Sequence, residues 1–489
     1  MRHRHATGGG EHRGGRRAAT PRHLAALLLL SFFACVSPAT PSAEDDAAEL
    51  VHGPFRCAVA PPAADDINPS AGIMGPRELL LLRERYEASR PSRSTHRPTD
   101  LSTPFARAVD YLFQRGWPAK KGGVPQRPIS RAYASEVAAK AVRERKAPGA
   151  KLRMPWGGEP NWHDELVEAD SREAYRNALA FAMTGDAAYA ATVKRILAAW
   201  MAHIPGAERI ANNNAPLELG WALGNMLKAL LVLERSGEGL TPAEKQRALA
   251  WLDEVSHEHF HAPYLFPSTT GPNVCAPRFD VSLARQAKNR ADYGCNAGSV
   301  YLGNWQTTIL ETRMLLALYR GGARGKAEYR EALRYALFVL ERYTQVRDGR
   351  ALTAETCRDL YHAGFGIAGL VEMAELAWQQ GDPDLYTWGD ARLARIVEFH
   401  AGISRGEIDD DAVGCEEALV ARDNVQPFHE VAYNHYNGRM GMQLPATERV
   451  VWSGTRDGPA DGAPDGLAFD SYTLQWGYGT ITHRETACR

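Results

Sequence analysis

Long apolar runs are missing from this 489-residue chain. The one stretch that stands out, Leu24–Phe33 with sequence LAALLLLSFF, is too short for a bilayer crossing, which takes about 20 residues, so no membrane-spanning helix is expected. A basic surplus is missing too. The formal charge is −1 overall, and residues 1–43 hold six arginines (Arg2, Arg4, Arg13, Arg16, Arg17, Arg22) against one acid, Glu11. Without them the chain carries 51 basic and 57 acidic residues. Phosphate recognition needs the opposite sign, so nucleic acid is an unexpected partner. With 44% apolar, 24% charged and 9% aromatic residues, the chain is neither disordered nor fibrous and has material for a large core.

The N-terminus reads as an address. Arg/Gly/His-rich residues lead into the short apolar run, followed by small residues and prolines to Ala43. That layout is a secretory signal, and it points to an exported protein, periplasmic or secreted. Arg16-Arg17 is a weak twin-arginine feature, and Cys35 is a candidate for lipid anchoring. The other six cysteines (Cys57, Cys275, Cys295, Cys357, Cys415, Cys488) form an even set in an exported chain, so disulfides are permitted. Cys275 and Cys295 are nearest in sequence and are the first expected bridge. Residues 44–75 are read as an N-terminal extension, 76–445 as the main domain and 446–489 as a tail.

Between about residues 76 and 400 the 3.6-residue period dominates. Ala174, Tyr175, Ala178, Leu179 and Ala182 share a face, as do Trp305, Thr308, Ile309, Thr312, Leu316 and Tyr319. Glycine-centred breaks divide the pattern at Thr184-Gly185-Asp186, Ser236-Gly237-Glu238-Gly239, Gly321-Gly322 and Gly381-Asp382-Pro383. Glycine accepts the left-handed conformation that ends a helix, and an acidic residue then caps the next one. TGDAAYA and QGDPDLY echo each other at 184–190 and 380–386, as in a helical hairpin unit of roughly fifty residues. The expectation is an all-α fold, about twelve helices in six or seven hairpins forming an incomplete (α/α) toroid, with an open solenoid as the competing arrangement. Strand-like sequence is scarce until the tail, where Tyr472–Trp476 and Gly479–Thr482 are expected to pair.

Several polar clusters do not fit a packed helix. Asn212-Asn213-Asn214 precedes the helix beginning APLELGW. One amide caps a helix; three in a row also suit an anionic oxygen ligand at a positive helix end. His257-Glu258-His259-Phe260-His261 matches H-E-x-x-H, the zinc-protease pattern, but sits at a helix end before Pro263 and lacks a third histidine. A histidine facing a cleft is the stronger reading of this cluster. YLGNW (301–305) precedes an amphipathic helix, and in AETCRDLYHAGFG (354–366) Glu355, Arg358, Asp359 and His362 crowd the start of another. The i,i+4 spacings place these four on adjacent faces of one turn. FHEVAYNHYNGRMG (428–441) reads as too polar for a core and too aromatic for a linker.

The segments NWHDELVEAD, AYRNALAFAMTGDAAYA, NNNAPLELGW, YLGNW, ETCRDLYHAGFG, AWQQGDPDLY and VAYNHYNGRMGM follow an order that resembles the alginate lyase superfamily. Within it the chain is most similar to (α/α)-barrel polysaccharide lyases acting on alginate or glucuronan. The likeness spans roughly residues 75–445 and rests on order and spacing. Well-studied alginate lyases carry Asn-Asn-His where this chain has Asn212-Asn213-Asn214.

The resemblance implies β-elimination on an anionic polysaccharide. A proton leaves C5 of a uronic acid and the bond to O4 breaks. Amides, His or Arg must offset the carboxylate charge as an enolate-like intermediate forms; Asn213, Asn214 and His362 are the candidates. Tyr301 is the expected base, acid or both, and His261 the second proton-transfer candidate. Arg358, Tyr436 and His435 are expected to bind sugar, with Trp221 and Trp305 stacking on its faces. No cofactor is required; a divalent metal at His257 and His261 is the one allowance, and a monomer is expected. Two other readings stand beside this one. A glycoside hydrolase would use Glu355, Asp359 and Glu430 as paired carboxylates, and a non-catalytic polysaccharide binder would cleave nothing.

Overall fold

Two kinds of helix alternate along the chain, and the distribution of apolar residues decides which is which. The computed structural model describes residues 72–114, 162–203, 215–260, 275, 277–281, 302–420, 426–453 and 478–484, all within the compact unit Asp45–Arg489. Helices α1 (Pro76–Ala88) and α2 (Pro104–Gln114) each start on a proline, where its missing N–H leaves no bond unmade. Four hairpins follow: α3 (Trp162–Thr184) with α4 (Ala187–His203), α5 (Ala215–Arg235) with α6 (Pro242–Phe260), α7 (Asn304–Arg320) with α8 (Gly322–Tyr343), and α9 (Leu360–Gln379) with α10 (Asp384–Ser404). All four expected breaks separate hairpin partners. Gly185, Gly237, Gly321 and Gly381 sit there with φ of 69°, 85°, 68° and 84°, a region a side chain would strain.

The first helix of each hairpin lies inside. Every residue of α9 from Ala363 to Gln379 is buried, as is α7 apart from Trp305, Arg313 and Arg320. Their partners bury only a stripe; in α8 it is Tyr329, Ala332, Ala336, Val339, Leu340 and Tyr343, the 3–4 spacing of a helix with one solvated face. Helix α5 is long and apolar enough to cross a bilayer, but 94% of that stretch is buried inside the protein. It is a core helix.

Contacts pass from α1 to α3, α5, α7 and α9 in turn. They continue to α12 (Phe428–Tyr433) and α14 (Gly479–Thr482), and α14 packs against α1. The helices therefore close on themselves, as a toroid requires. Between α10 and α12 lies the short helix α11 (Asp410–Val413); after α12 come a π-helical stretch, Asn434–Arg439, and α13 (Pro445–Ser453). The segment set apart as a tail thus supplies α13 and α14 to the same unit. Gly479–Thr482 is helical, not a strand, and the partner stretch Tyr472–Trp476 lies outside the described residues. The strands among the described residues are β1 (Thr344–Arg347) and β2 (Arg350–Thr353), an antiparallel hairpin turning on Asp348-Gly349.

Two buried ionic centres pin the inner helices. Lys228 of α5 meets Glu311 of α7 at 3.2 Å and Glu372 of α9 in a close contact. Burial and the neighbouring Glu311 raise the Glu372 carboxyl well above the usual range. One turn along α9, Glu375 takes a bidentate pair from Arg439 at 2.8 and 2.9 Å, with Glu78 of α1 at 3.5 Å from the same guanidinium. Burial opposes ionisation of Glu375, but Arg439 and His483 hold its carboxyl well below the ordinary range. Cys357 and Cys415 form a disulfide across 58 residues. Cys275 is also disulfide-bonded, to a cysteine outside the described residues.

Candidate active site

The first turns of α5, α7 and α9 meet at one end of the inner layer. Leu217 and Trp221 of α5, Trp305 of α7, and Tyr361 and Phe365 of α9 form one apolar cluster there. Three helix N-termini, each a positive dipole end, thus face the same region.

Beside this cluster lies a polar group built from the loop that follows β2. Asp359 caps α9, its Oδ1 accepting the His362 backbone N–H at 2.7 Å. The same carboxylate lies 2.7 and 2.8 Å from His362 Nδ1. On the other side of the ring, Arg358 Nη2 is 2.8 Å from Nε2. Burial alone would raise the Asp359 pKa, but hydrogen bonds from the His362 ring and backbone hold it below the usual carboxylate range. Asp359 is therefore an ionised acceptor and Arg358 only a donor. One tautomer satisfies both: neutral His362, protonated at Nδ1, its Nε2 lone pair toward Arg358. Sequence reasoning expects His362 to offset charge as a donor, whereas here it has no unengaged N–H.

Glu355 stands behind Arg358 and is buried. Its Oε2 accepts the Asn304 backbone N–H at 2.7 Å and the Tyr343 hydroxyl at 3.0 Å; its Oε1 accepts Arg358 Nη1 at 3.1 Å and Asn304 Nδ2 at 3.3 Å. Burial raises its pKa, and Arg358 and the Asn304 N–H work against that rise. The carboxylate comes this close to α7 because Gly303 caps that helix. A Cβ on Gly303 would lie 3.3 Å from the carboxyl carbon and both oxygens. Glu355 therefore ties together the start of α7, the end of α8 and the loop into α9.

No family model matches the chain, and no curated protein matches it in sequence. Solved structures do. Alginate lyase A1-III from Sphingomonas species A1 has a variant complexed with a tetrasaccharide that superposes with a TM-score of 0.51 at 14% identity, covering 87% of this chain and 98% of that one. A second variant complexed with tetrasaccharide gives 0.51 at 13% identity over 86% and 96%. This chain has the alginate-lyase fold. The all-α toroid expected from helix periodicity and motif order is therefore present.

Within the alginate-lyase fold, the expected site residues divide into three sets. Arg358 and His362 are brought together at the N-terminal end of α9, with Trp305 half-buried in the adjoining cluster. His435 and Tyr436 are placed in the core, and Trp221 is buried within the apolar cluster beside the site. Tyr436 and His435 are fully buried; the Tyr436 hydroxyl donates to Tyr386 O at 2.9 Å, and His435 stacks on the Tyr386 ring at 3.5 Å. Trp221 is buried against Phe365, ring centroids 5.1 Å apart. Their expected sugar contacts are corrected accordingly. Tyr301, His261, Asn213 and Asn214 lie outside the described residues, each next in chain or one residue removed from a described helix or segment. Of the H-E-x-x-H stretch, α6 carries His257 to Phe260 and ends there. Among the described residues no group of three or more His, Cys, Asp or Glu is arranged to hold a metal ion.

Proposed function

We propose that the chain is a polysaccharide lyase that cleaves a uronic-acid-containing polymer, alginate or glucuronan-like, by β-elimination. The observation that carries the reading is the partly exposed Arg358, held by Glu355 and His362 with Asp359 3.6 Å from its Nε, at the meeting point of three helix N-termini. A guanidinium has five N–H donors in a planar fork that matches a carboxylate. Bound there, the C5 carboxylate loses part of its charge, and C5–H becomes acidic enough to leave as a proton.

The remaining roles follow chain connectivity. Tyr301 is two residues before Gly303, so their Cα atoms are at most about 7 Å apart, and Glu355 anchors Gly303-Asn304 beside Arg358. Tyr301 is assigned to proton transfer at O4, with His261 as the second candidate. Asn214 adjoins α5, and Asn213 and Asn214 are assigned to the substrate carboxylate. Trp305 is assigned to the sugar face. Export to an oxidising compartment fits the disulfides.

Hydrolysis needs two carboxylates flanking the scissile bond. Glu355 is saturated with four donors, Asp359 is committed to His362, and Glu430 is buried elsewhere, with Arg484 in close contact. The test is to incubate the mature protein with polymannuronate, polyguluronate, glucuronan and hyaluronan. New near-UV absorbance from a C4–C5 double bond, abolished in Arg358→Ala, supports the lyase. New reducing ends without absorbance turn the reading to a hydrolase, and binding with neither turns it to a binding protein.

A further inference from the structure

The geometry around His362 assigns it a role that the proposed reaction leaves unfilled, and the inference rests on that reaction being a uronate elimination. We infer that His362 Nε2 is the base that takes the C5 proton, covered by Arg358 in the free enzyme and uncovered when a uronate carboxylate draws the guanidinium away.

Each part follows from the contacts. Asp359 holds the proton on Nδ1 from 2.7 Å, so the lone pair belongs to Nε2. Asp359 also stabilises the imidazolium that forms when Nε2 takes a proton, as a buried carboxylate behind a catalytic histidine does elsewhere. Arg358 Nη2 sits on that lone pair at 2.8 Å. Toward the neutral imidazole the guanidinium makes one hydrogen bond in which only the donor is ionised, whereas a carboxylate offers the guanidinium a bidentate pair in which both partners are ionised. Substrate therefore competes well for the guanidinium. Arg358 is free to respond: its side chain is 35% exposed, against 2% for its anchor Glu355. That anchor, 3.1 Å from Nη1, limits the movement to a short swing. Tyr361 and Phe365 present ring edges at 5.8 and 6.3 Å, and the Glu355 carboxylate stands behind Arg358.

The step balances without a co-reactant. The C5–H bond breaks and its proton goes to Nε2. The freed pair forms the C4–C5 double bond, the C4–O4 bond breaks with its pair on O4, and O4 takes a proton from the acid assigned to Tyr301. After product release, the imidazolium gives its proton to solvent, the Tyr301 phenolate takes one back from solvent, and Arg358 returns to Nε2.

The experiment combines kinetics with labelling of the free enzyme. His362→Gln should lower kcat on the best uronate polymer by about 10²- to 10⁴-fold with KM little changed, while its melting temperature stays near wild type. Carbethoxylation by diethyl pyrocarbonate, mapped by peptide mass spectrometry without substrate, should modify His362 several-fold faster in Arg358→Ala than in wild type. Should His362→Gln not fold, the labelling comparison decides alone. An active wild type with a similarly active His362→Gln, or equal labelling rates, overturns this role and leaves the lyase reading standing. A wild type that yields no unsaturated product from any uronate polymer overturns both.

Discussion

Glu355→Gln isolates the junction that holds the site together. The substitution keeps shape and volume and removes one charge. All four groups facing the carboxylate point a hydrogen at it: the Asn304 N–H, Asn304 Nδ2, the Tyr343 hydroxyl and Arg358 Nη1. A glutamine amide replaces one acceptor oxygen with a donor nitrogen. With the nitrogen on the Oε2 side it opposes the Asn304 backbone N–H, which has no way to turn. On the Oε1 side it opposes Arg358, which has no acceptor to offer; the Asn304 amide can flip there, and the Tyr343 hydroxyl can rotate on the other side. One buried donor is thus stranded in either orientation, at about 1–3 kcal/mol. Arg358 also loses its charged partner; because it is partly exposed this adds about 1 kcal/mol or less. The expected loss is about 1–4 kcal/mol, read as a lower urea midpoint at unchanged slope. Glu84→Gln, at an exposed and unpaired acid of α1, should stay within about 0.5 kcal/mol. If Glu355→Gln is as silent as Glu84→Gln, the carboxylate is not the anchor described.

Other perturbations test the frame around the site. Replacing Cys357 and Cys415 by serine opens a loop of 58 residues; loop-closure entropy puts the loss near 4 kcal/mol, measurable as a fall in urea midpoint without reductant, and an unchanged midpoint would refute it. Lys228→Met leaves Glu311 and Glu372 buried without their cation, which should cost about 3–5 kcal/mol; adding Glu311→Gln and Glu372→Gln should restore part of it, and no recovery would refute the charge explanation. Burial pushes His400 and His429 down to about 4, so the unfolded chain binds protons first as pH falls. Stability should be full above about pH 6.5 and decline toward pH 4, by about 3 kcal/mol for each ring; a urea midpoint that stays flat between pH 7 and 5 would contradict this.

The hairpins were legible because their signals are local. Gly185, Gly237, Gly321 and Gly381 punctuate the helical period within one or two residues of each observed turn. The β-hairpin carried a local signal too, Asp348-Gly349 between short extended runs, but it was overshadowed by the helical pattern running up to Tyr343. Residues 428–441 were misread because their partners are remote. Glu430 meets Arg484 54 positions on and Arg439 meets Glu375 64 positions back, so polarity that looked exposed is paired inside. The site divides the same way. Asp359 and His362 lie three apart at a helix start, which spacing alone makes neighbours. Glu355 as the common acceptor depends on Asn304, 51 residues earlier, and no periodicity encodes that.

Helix α14 is four residues long, yet it alters how the whole chain must be made. It packs on α1, α2 and α12, and the Thr480 hydroxyl donates to Glu430 at 2.6 Å while Arg484 donates to the Val451 carbonyl at 2.9 Å. Everything synthesised earlier waits on this clasp, so a nascent chain still tethered in the ribosomal tunnel near residue 484 carries an unsealed seam between its earliest helices and α12. That dependence makes a trim of a few residues around Arg484 more damaging than its size implies.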